Sequence, residues 1–482
     1  MPVLAGPALI RQGRSSGFDQ DYGMLSRRTV IAGLGGLLAT AGLPAGGRLA
    51  KAQTLAMAEL RGGFDAAEAG ILPGSEDDQS RKLQALIDQA AAVGQPVFLP
   101  AGTYEVANLE LRDGSRLTGV PGLTRLVYRG DGHLIAAQDT GRVSLSGITF
   151  DGANRWLADY TEGLLAFRSV KEVVIDACEI VGSRKCGVYL ARSGGRIEGS
   201  RISGAAEAGI WAIEGLAFTI RDNQVFDCGN GGILVHRWTK GDDGTVISGN
   251  RVARIAATNG GTGQYGNGIN VFRADNVLVS GNHVSDCAFS AIRANSASNI
   301  TISGNQAFRS GETAIYAEFE FEGALIEGNV IDGAAIGISV ANFDQGGRLS
   351  TVSNNIVRRI VDKGPYQPTI SGFGFGISVE ADTLVTGNLV DGAETAALAI
   401  GWGPYLRNVI VSDNILRGSP QGMRISVVEG AGETVIRNNI MDGTSDGAIV
   451  GYRWNDRVGE PIPDGQSDLP HLTLSGNRET GG

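Results

Sequence analysis

Five side chains along the middle of this 482-residue sequence are of types that move protons or stabilise charge: His236, Arg293, Tyr316, Glu318 and Glu380. Glu318 and Glu380 suit glycosidic cleavage, in which one carboxyl acts as acid and the other as base. His236 or Tyr316 as base, with Arg293 facing a developing enolate, would instead serve a lyase or an epimerase. Around them stand Trp211, Arg237, Trp238, Asn270, Phe272, Asn295, Asn342 and Trp402. Aromatic planes match the C–H faces of sugar rings, and amides, Arg and Glu match their hydroxyls, so the set reads as a surface for a polysaccharide.

Only a repeating fold can gather residues so far apart in the chain. A motif of the form apolar, x, apolar, polar, Gly/Asn/Asp, Asn, x, apolar occurs at 220–225, 247–252, 279–284 and 302–307. Altered copies carry Asn at 329, 355, 388, 414, 439 and 477, and Cys178 and Ser200 hold the equivalent place upstream. A second motif, Gly/Ala-apolar-x-apolar, follows in eleven copies from Gly187–Leu190 to Gly447–Val450. Each tract alternates with period 2 between Gly, Asn, Asp and Ser, which describes short strands and excludes helical repeats. The step of about 26 residues is too short for a propeller blade of four antiparallel strands. Stacked coils with parallel strands about 4.8 Å apart are expected: a parallel β-helix with an all-β solenoid core. The recurring Asn is expected to form an internal amide ladder between successive turns.

Alternation then points the central x of the second motif outward, together with the residue after its last apolar position. Stacking yields two rows, which run from Tyr189 and Trp211 through His236, Asn270, Phe272, Arg293, Asn295, Tyr316 and Glu318 to Glu380. Glu318 and Glu380 fall two coil rises apart, about 9.6 Å. That is near the upper limit for an inverting glycosidase and too long for a retaining one. Insertions at 254–267 and 359–375 lengthen one arc of their coils and should wall the groove, while 237–245 extends the opposite side.

The ends of a solenoid need covers. Leu83, Leu86, Ile87, Ala90 and Ala91 share one helical face, with Ser75 and Asp78 at capping-box spacing, so a helix over 78–92 should plug the amino-terminal opening. Residues 53–74 are a linker or the start of this cap, and 75–482 form one domain. At the other end 456–470, with three prolines and two glycines, is expected to be a loop, before a last strand at Leu472–Leu474.

The cap and first strand, from Asp77 through Leu83, Ile87, Pro96–Pro100 and Gly102–Tyr104, resemble those of pectate-lyase-like and polygalacturonase-like proteins. Joined to an amino-terminal Arg27-Arg28 signal, the array resembles a twin-arginine-translocated family of uncharacterised bacterial repeat proteins. The resemblance implies a right-handed parallel β-helix and export, but brings no activity with it. The Asn-Thr-Asp, Gly-His-Gly and Arg-Ile-Lys segments of polygalacturonases are missing, Asp242-Asp243 stands as an isolated acidic pair, and no dense carboxylate cluster marks a calcium site.

Residues 1–52 read as an extension and signal: Arg27 and Arg28 precede an apolar run ending at Pro44, too short to span a bilayer, and Ala50-Lys51-Ala52 offers small residues for cleavage. Met24 can serve as the true start. A bacterial periplasmic or secreted protein, partnered by the export machinery and then by glycan, with no stable membrane span in the mature chain, is expected. Removing 1–52, with six basic and two acidic side chains, takes the net charge from −10 to −14, which argues against nucleic acid as a partner. Cys178, Cys186, Cys228 and Cys287 lack metal-ligand spacing, so no structural metal is expected; no cofactor is expected either, with calcium left open as an unsupported alternative. The leading class is a polysaccharide-active lyase, hydrolase or epimerase. The alternative is a non-catalytic glycan- or protein-binding envelope scaffold or adhesin.

Overall fold

In the computed structural model, residues 62–341, 346–368, 372–465 and 468–481 are described. The signal segment and Asn342 lie outside them. Each alternating tract is a strand, and the Gly, Asp and Asn between tracts make the corners. One coil shows the pattern: Ala208–Ile213, Leu216–Arg221 and Gln224–Cys228 follow one another through Glu214 at φ 53° and Asp222 at φ 56°. Left-handed corner residues turn the chain within one or two residues.

Among the described residues three sheets of 16, 15 and 15 strands result, parallel throughout except for the last strand of the second. The first runs from Phe64–Asp65 to Leu472–Ser475, the second from Leu109–Glu110 to Asp456–Arg457, and the third from Gly102–Val106 to Arg478–Thr480. Residues 53–74 thus contribute Phe64–Asp65, which pairs with Val97–Phe98. Inward side chains stack in register, as in Ile210, Ile233, Ile269, Ile292, Ile315, Ile338 and Ile377 of the second sheet, all fully buried. Each such side chain contributes about 1.5–3 kcal/mol of burial. The Gly of the second motif is there for clearance: a Cβ on Gly232 would lie 2.2 Å from the Gly268 carbonyl oxygen.

The Asn ladder is continuous from Asn223 to Asn477, each Nδ2 donating to the next Oδ1 at 2.9–3.1 Å. The same Oδ1 accepts the backbone N–H of the preceding Asn, as Asn250 Oδ1 does from Asn223. The left-handed backbone belongs to the residue before the Asn, such as Asp222, Gly249, Gly281 or Asn354.

The cap helix is Ser80–Ala92, two residues shorter than the sequence suggests. Gln79 takes the N-cap place without a side-chain bond, Asp78 accepts from the Ser80 N–H, and Ser75 serves Asp77 instead. The helix buries Leu83, Leu86, Ile87 and Ala90, and Gln84 occupies the first strand edge through bonds with Glu110 at 2.8 and 2.9 Å. The 456–470 segment opens with a two-residue antiparallel strand, Asp456–Arg457, before the expected loop. All four thiols are free and buried, and burial pushes each up to about 12.

Candidate functional site

Both outward rows form on the second sheet. Tyr189, Trp211, Leu234, Asn270, Arg293, Tyr316, Ser339 and Ser378 are in register along one. His236, Phe272, Asn295, Glu318 and Ala341 are in register along the other, with Glu380 following Val379 at its end. Two cavities open on this face rather than one cleft.

The upstream cavity, about 510 Å³, is lined by Trp211, His236, Trp238, Asn270, Phe272, Arg293 and Asn295. The 254–267 insertion supplies its wall through Thr262, Gly263, Gln264 and Tyr265, and Glu207 and Asn230, to which Asn259 of the same insertion is hydrogen-bonded, line it too. Tyr189, Trp211, His236 and Phe272 stack edge to face with centroids 5.8, 6.0 and 5.7 Å apart. Trp211 Nε1–H donates to His236 Nδ1 at 3.1 Å, which leaves the imidazole proton on Nε2. Burial lowers the His236 pKa to about 4, so the ring is neutral at physiological pH.

This makes stability pH-dependent. His236 binds a proton in the unfolded chain near 6.5 but in the folded one only near 4, so stability present above pH 6.5 is lost as the pH falls toward 4. At about 1.4 kcal/mol per unit the loss approaches about 3 kcal/mol. His236→Phe should flatten this part of the curve in denaturant melts over that range, whereas parallel curves for the two proteins would refute the assignment.

Between the cavities stands a buried ionic wall. Arg293 Nε donates to Glu318 Oε1 at 2.6 Å, its Nη1 lies 3.9 Å from Glu312 and donates to the Gly263 carbonyl, and Asn295 Nδ2 donates to Glu318 at 2.7 Å. Burial opposes the Arg293 charge, yet Glu318 and Glu312 hold its pKa above the usual value. Glu312 accepts a bond from Tyr366 Oη at 2.6 Å. Burial nevertheless raises its pKa, with the Tyr366 bond and Arg293 acting against the rise. Tyr316, beside the guanidinium at 5.2 Å, is raised well above its ordinary value by burial and by Glu318.

The downstream cavity, about 190 Å³, is lined by Glu312, Tyr316, Tyr366, Phe373, Phe375, Glu380, Trp402, Arg424, Tyr452 and Trp454. Tyr366 and Phe373 come from the 359–375 insertion, while Trp402 and Trp454 meet edge to face at 5.4 Å. Arg424 lies 3.7 Å from the Tyr452 ring centre, and burial lowers its pKa.

The chosen residues therefore divide. His236, Trp211, Trp238, Asn270, Phe272 and Asn295 share the upstream cavity, and Tyr316, Glu380 and Trp402 the downstream one. Glu318 is held in the wall by Arg293. Arg237 lines neither cavity: it pairs with Glu214 at 2.7 Å and lies 3.6 Å from the fully buried Asp243, bracing the 237–245 extension. Glu312, Tyr366, Arg424, Tyr452 and Trp454 were missed. Arg424 is the central x of its motif copy and could have been read by the rule that gave Arg293. Glu312 precedes its motif and Tyr366 sits inside an insertion, where no period applies. Among the described residues, no group of three or more His, Cys, Asp and Glu is arranged to hold a metal ion, and no helix is long and apolar enough to cross a membrane.

Three in-register sheets with loops walling one face define a β-solenoid that carries two cavities in series on that face. The family described as "Right handed beta helix region" matches residues 124–252 and 238–416, and the chain belongs to it. The search of curated proteins finds no match. Among solved structures, the pre-mature gene product 12 of bacteriophage phi29 is similar at 15% identity and TM-score 0.50, covering 87% of this chain and 59% of that one, so this chain spans less than two thirds of that structure. A GH87 alpha-1,3-glucanase catalytic unit from Streptomyces thermodiastaticus gives 14% identity, TM-score 0.43 and coverage of 92% and 70%. PfbA, a surface adhesin of Streptococcus pneumoniae, gives 14% identity, TM-score 0.41 and coverage of 86% and 100%.

Proposed function

We propose that this is an exported bacterial protein that binds a polysaccharide along its second sheet and acts on it at the downstream cavity. The supporting observation is the pair of cavities in series on one face, each combining aromatic rings with amide, Arg or carboxyl groups. Glu312 is the group suited to general acid work, because burial raises its pKa and its carboxyl faces a cavity walled by Trp402 and Trp454. Export by the twin-arginine route, with a periplasmic or secreted destination, is the location proposed from Arg27 and Arg28.

Two carboxyl groups line the downstream cavity, those of Glu312 and Glu380. Glu312 and Glu380 lie six residues apart along the strand direction and two coils apart, about 20 Å between backbones. That spacing favours a second reading, a glycan-binding scaffold without turnover. Incubation with a panel of plant and bacterial polysaccharides, followed by analysis for new reducing ends, unsaturated ends or altered uronate stereochemistry, separates the two. The Trp402→Ala variant should weaken binding roughly ten-fold, measured by affinity electrophoresis. Unchanged binding in Trp402→Ala and in Trp211→Ala would reject the groove.

A further inference from the structure

The hydrogen-bonding capacity left over in the upstream cavity deepens the glycan-binding reading, on which this inference rests. Asn295 donates to Glu318 and accepts from Ser296, Gln264 accepts from the Thr262 N–H, and Arg293 is held by Glu318 and the Gly263 carbonyl. Among the described residues, two buried polar atoms of the side chains lining this cavity find no protein partner: His236 Nε2 and Asn270 Oδ1. Asn270 is only 7% exposed. With Trp211 Nε1–H on its Nδ1, the His236 ring presents Nε2–H as a donor, while Asn270 Oδ1 is an acceptor.

The two residues are diagonal neighbours on the second sheet. Asn270 lies opposite Leu234 and Phe272 opposite His236, so one coil and two residues separate them, about 8 Å between backbones. A buried donor and a buried acceptor left unpaired both cost free energy, which a ligand carrying the converse pair recovers. A secondary amide is such a ligand: it is planar and trans, its N–H and C=O point opposite ways, and its two partners must stand apart. The Asn270 amide turns about a soft χ2, so its oxygen can meet a group entering from the cavity. The walls beside it are the rings of Trp211, Trp238 and Phe272, suited to a methyl group and to the C–H face of a sugar.

We propose that the upstream cavity is the subsite for an N-acetylated amino sugar, whose acetamido N–H donates to Asn270 Oδ1 and whose carbonyl accepts from His236 Nε2–H, with the acetyl methyl among the rings. A hydroxyl in the place of the acetamido group lacks the reach to serve both residues and leaves the rings uncovered. A free amine, a donor only, would turn to the Glu207 carboxylate instead.

Methyl glycosides of N-acetylglucosamine, N-acetylgalactosamine, glucose, galactose and glucosamine, titrated into the protein and followed by calorimetry and NMR saturation transfer, test this whatever the linkage of the natural glycan. At least one N-acetyl sugar should bind roughly ten-fold or more tighter than its parent hexoside, with saturation strongest at the acetyl methyl. Asn270→Leu removes the acceptor at nearly constant volume and should bring that ratio toward one, as should His236→Phe, both checked for folding by circular dichroism. A hexoside bound as tightly as its N-acetyl counterpart, the glucosaminide bound tightest, or a ratio unchanged in either variant would overturn the subsite while leaving glycan binding by the groove intact. Failure of all five sugars to bind, with a polysaccharide still retained in affinity electrophoresis, would likewise overturn the subsite alone. Failure of every sugar and polysaccharide would overturn the glycan reading itself, and the subsite with it.

Discussion

Arg293→Ala is expected to destabilise the coils around it by about 3–5 kcal/mol, because it leaves buried carboxylates without their cation. Glu318 and Glu312 side chains are only 2% and 3% exposed and both face the guanidinium. The loss should be smaller at pH 4 than at pH 8, since protonation relieves the stranded charge, and smaller again in Arg293→Ala combined with Glu318→Gln. Denaturant midpoints at the two pH values, with amide exchange to localise the effect, provide the measurement. A deficit below about 1 kcal/mol would mean that the wall is solvated and the pair worth no more than a surface ion pair. The 254–267 loop should loosen as well, because Arg293 also holds the Gly263 carbonyl.

Asn305→Ala should cost a similar amount by a different route. Asn305 donates to the Val279 carbonyl at 3.0 Å and to Asn329 Oδ1 at 3.1 Å, and accepts from the backbone and side chain of Asn282 at 2.9 and 3.0 Å. Truncation orphans at least the buried Asn282 N–H and the Val279 carbonyl, at about 1–3 kcal/mol for each unsatisfied group. Asn305→Asp, which keeps the acceptor but loses the donor and adds charge to a dry corner, should fare no better. Faster amide exchange confined to the coils around residues 282 and 329 is the expected signature, since repeats couple chiefly to their neighbours. A melt unchanged from wild type would mean that the ladder is ornamental.

The coil architecture was legible because it is written in periodicity: strand alternation, corner residues and a repeated amide recur often enough to fix the register. The same register placed His236 beside Phe272 and Arg293 beside Tyr316 along the outward rows. Alternation gives the direction of a side chain, however, and not its partners. It could not show that Glu318 would be taken up by Arg293, or that Arg237 would turn to Glu214 and Asp243. Glu312 and Tyr366 come together from a corner and an insertion 54 residues apart, through a contact set by how that insertion folds back. The cap helix was found by its apolar face, whereas its first turn was misplaced because Gln79 caps it without a side-chain bond.

The amide ladder holds its spacing whatever happens between its rungs. Asn282 and Asn305 are 23 residues apart and Asn250 and Asn282 are 32 apart, yet the bonds are 3.0 and 2.9 Å. Additional chain is therefore absorbed at a corner without disturbing the stack. A lineage carrying such a clamp can acquire new loops over the groove, or copy an entire coil, while the rest of the spine stays as it was.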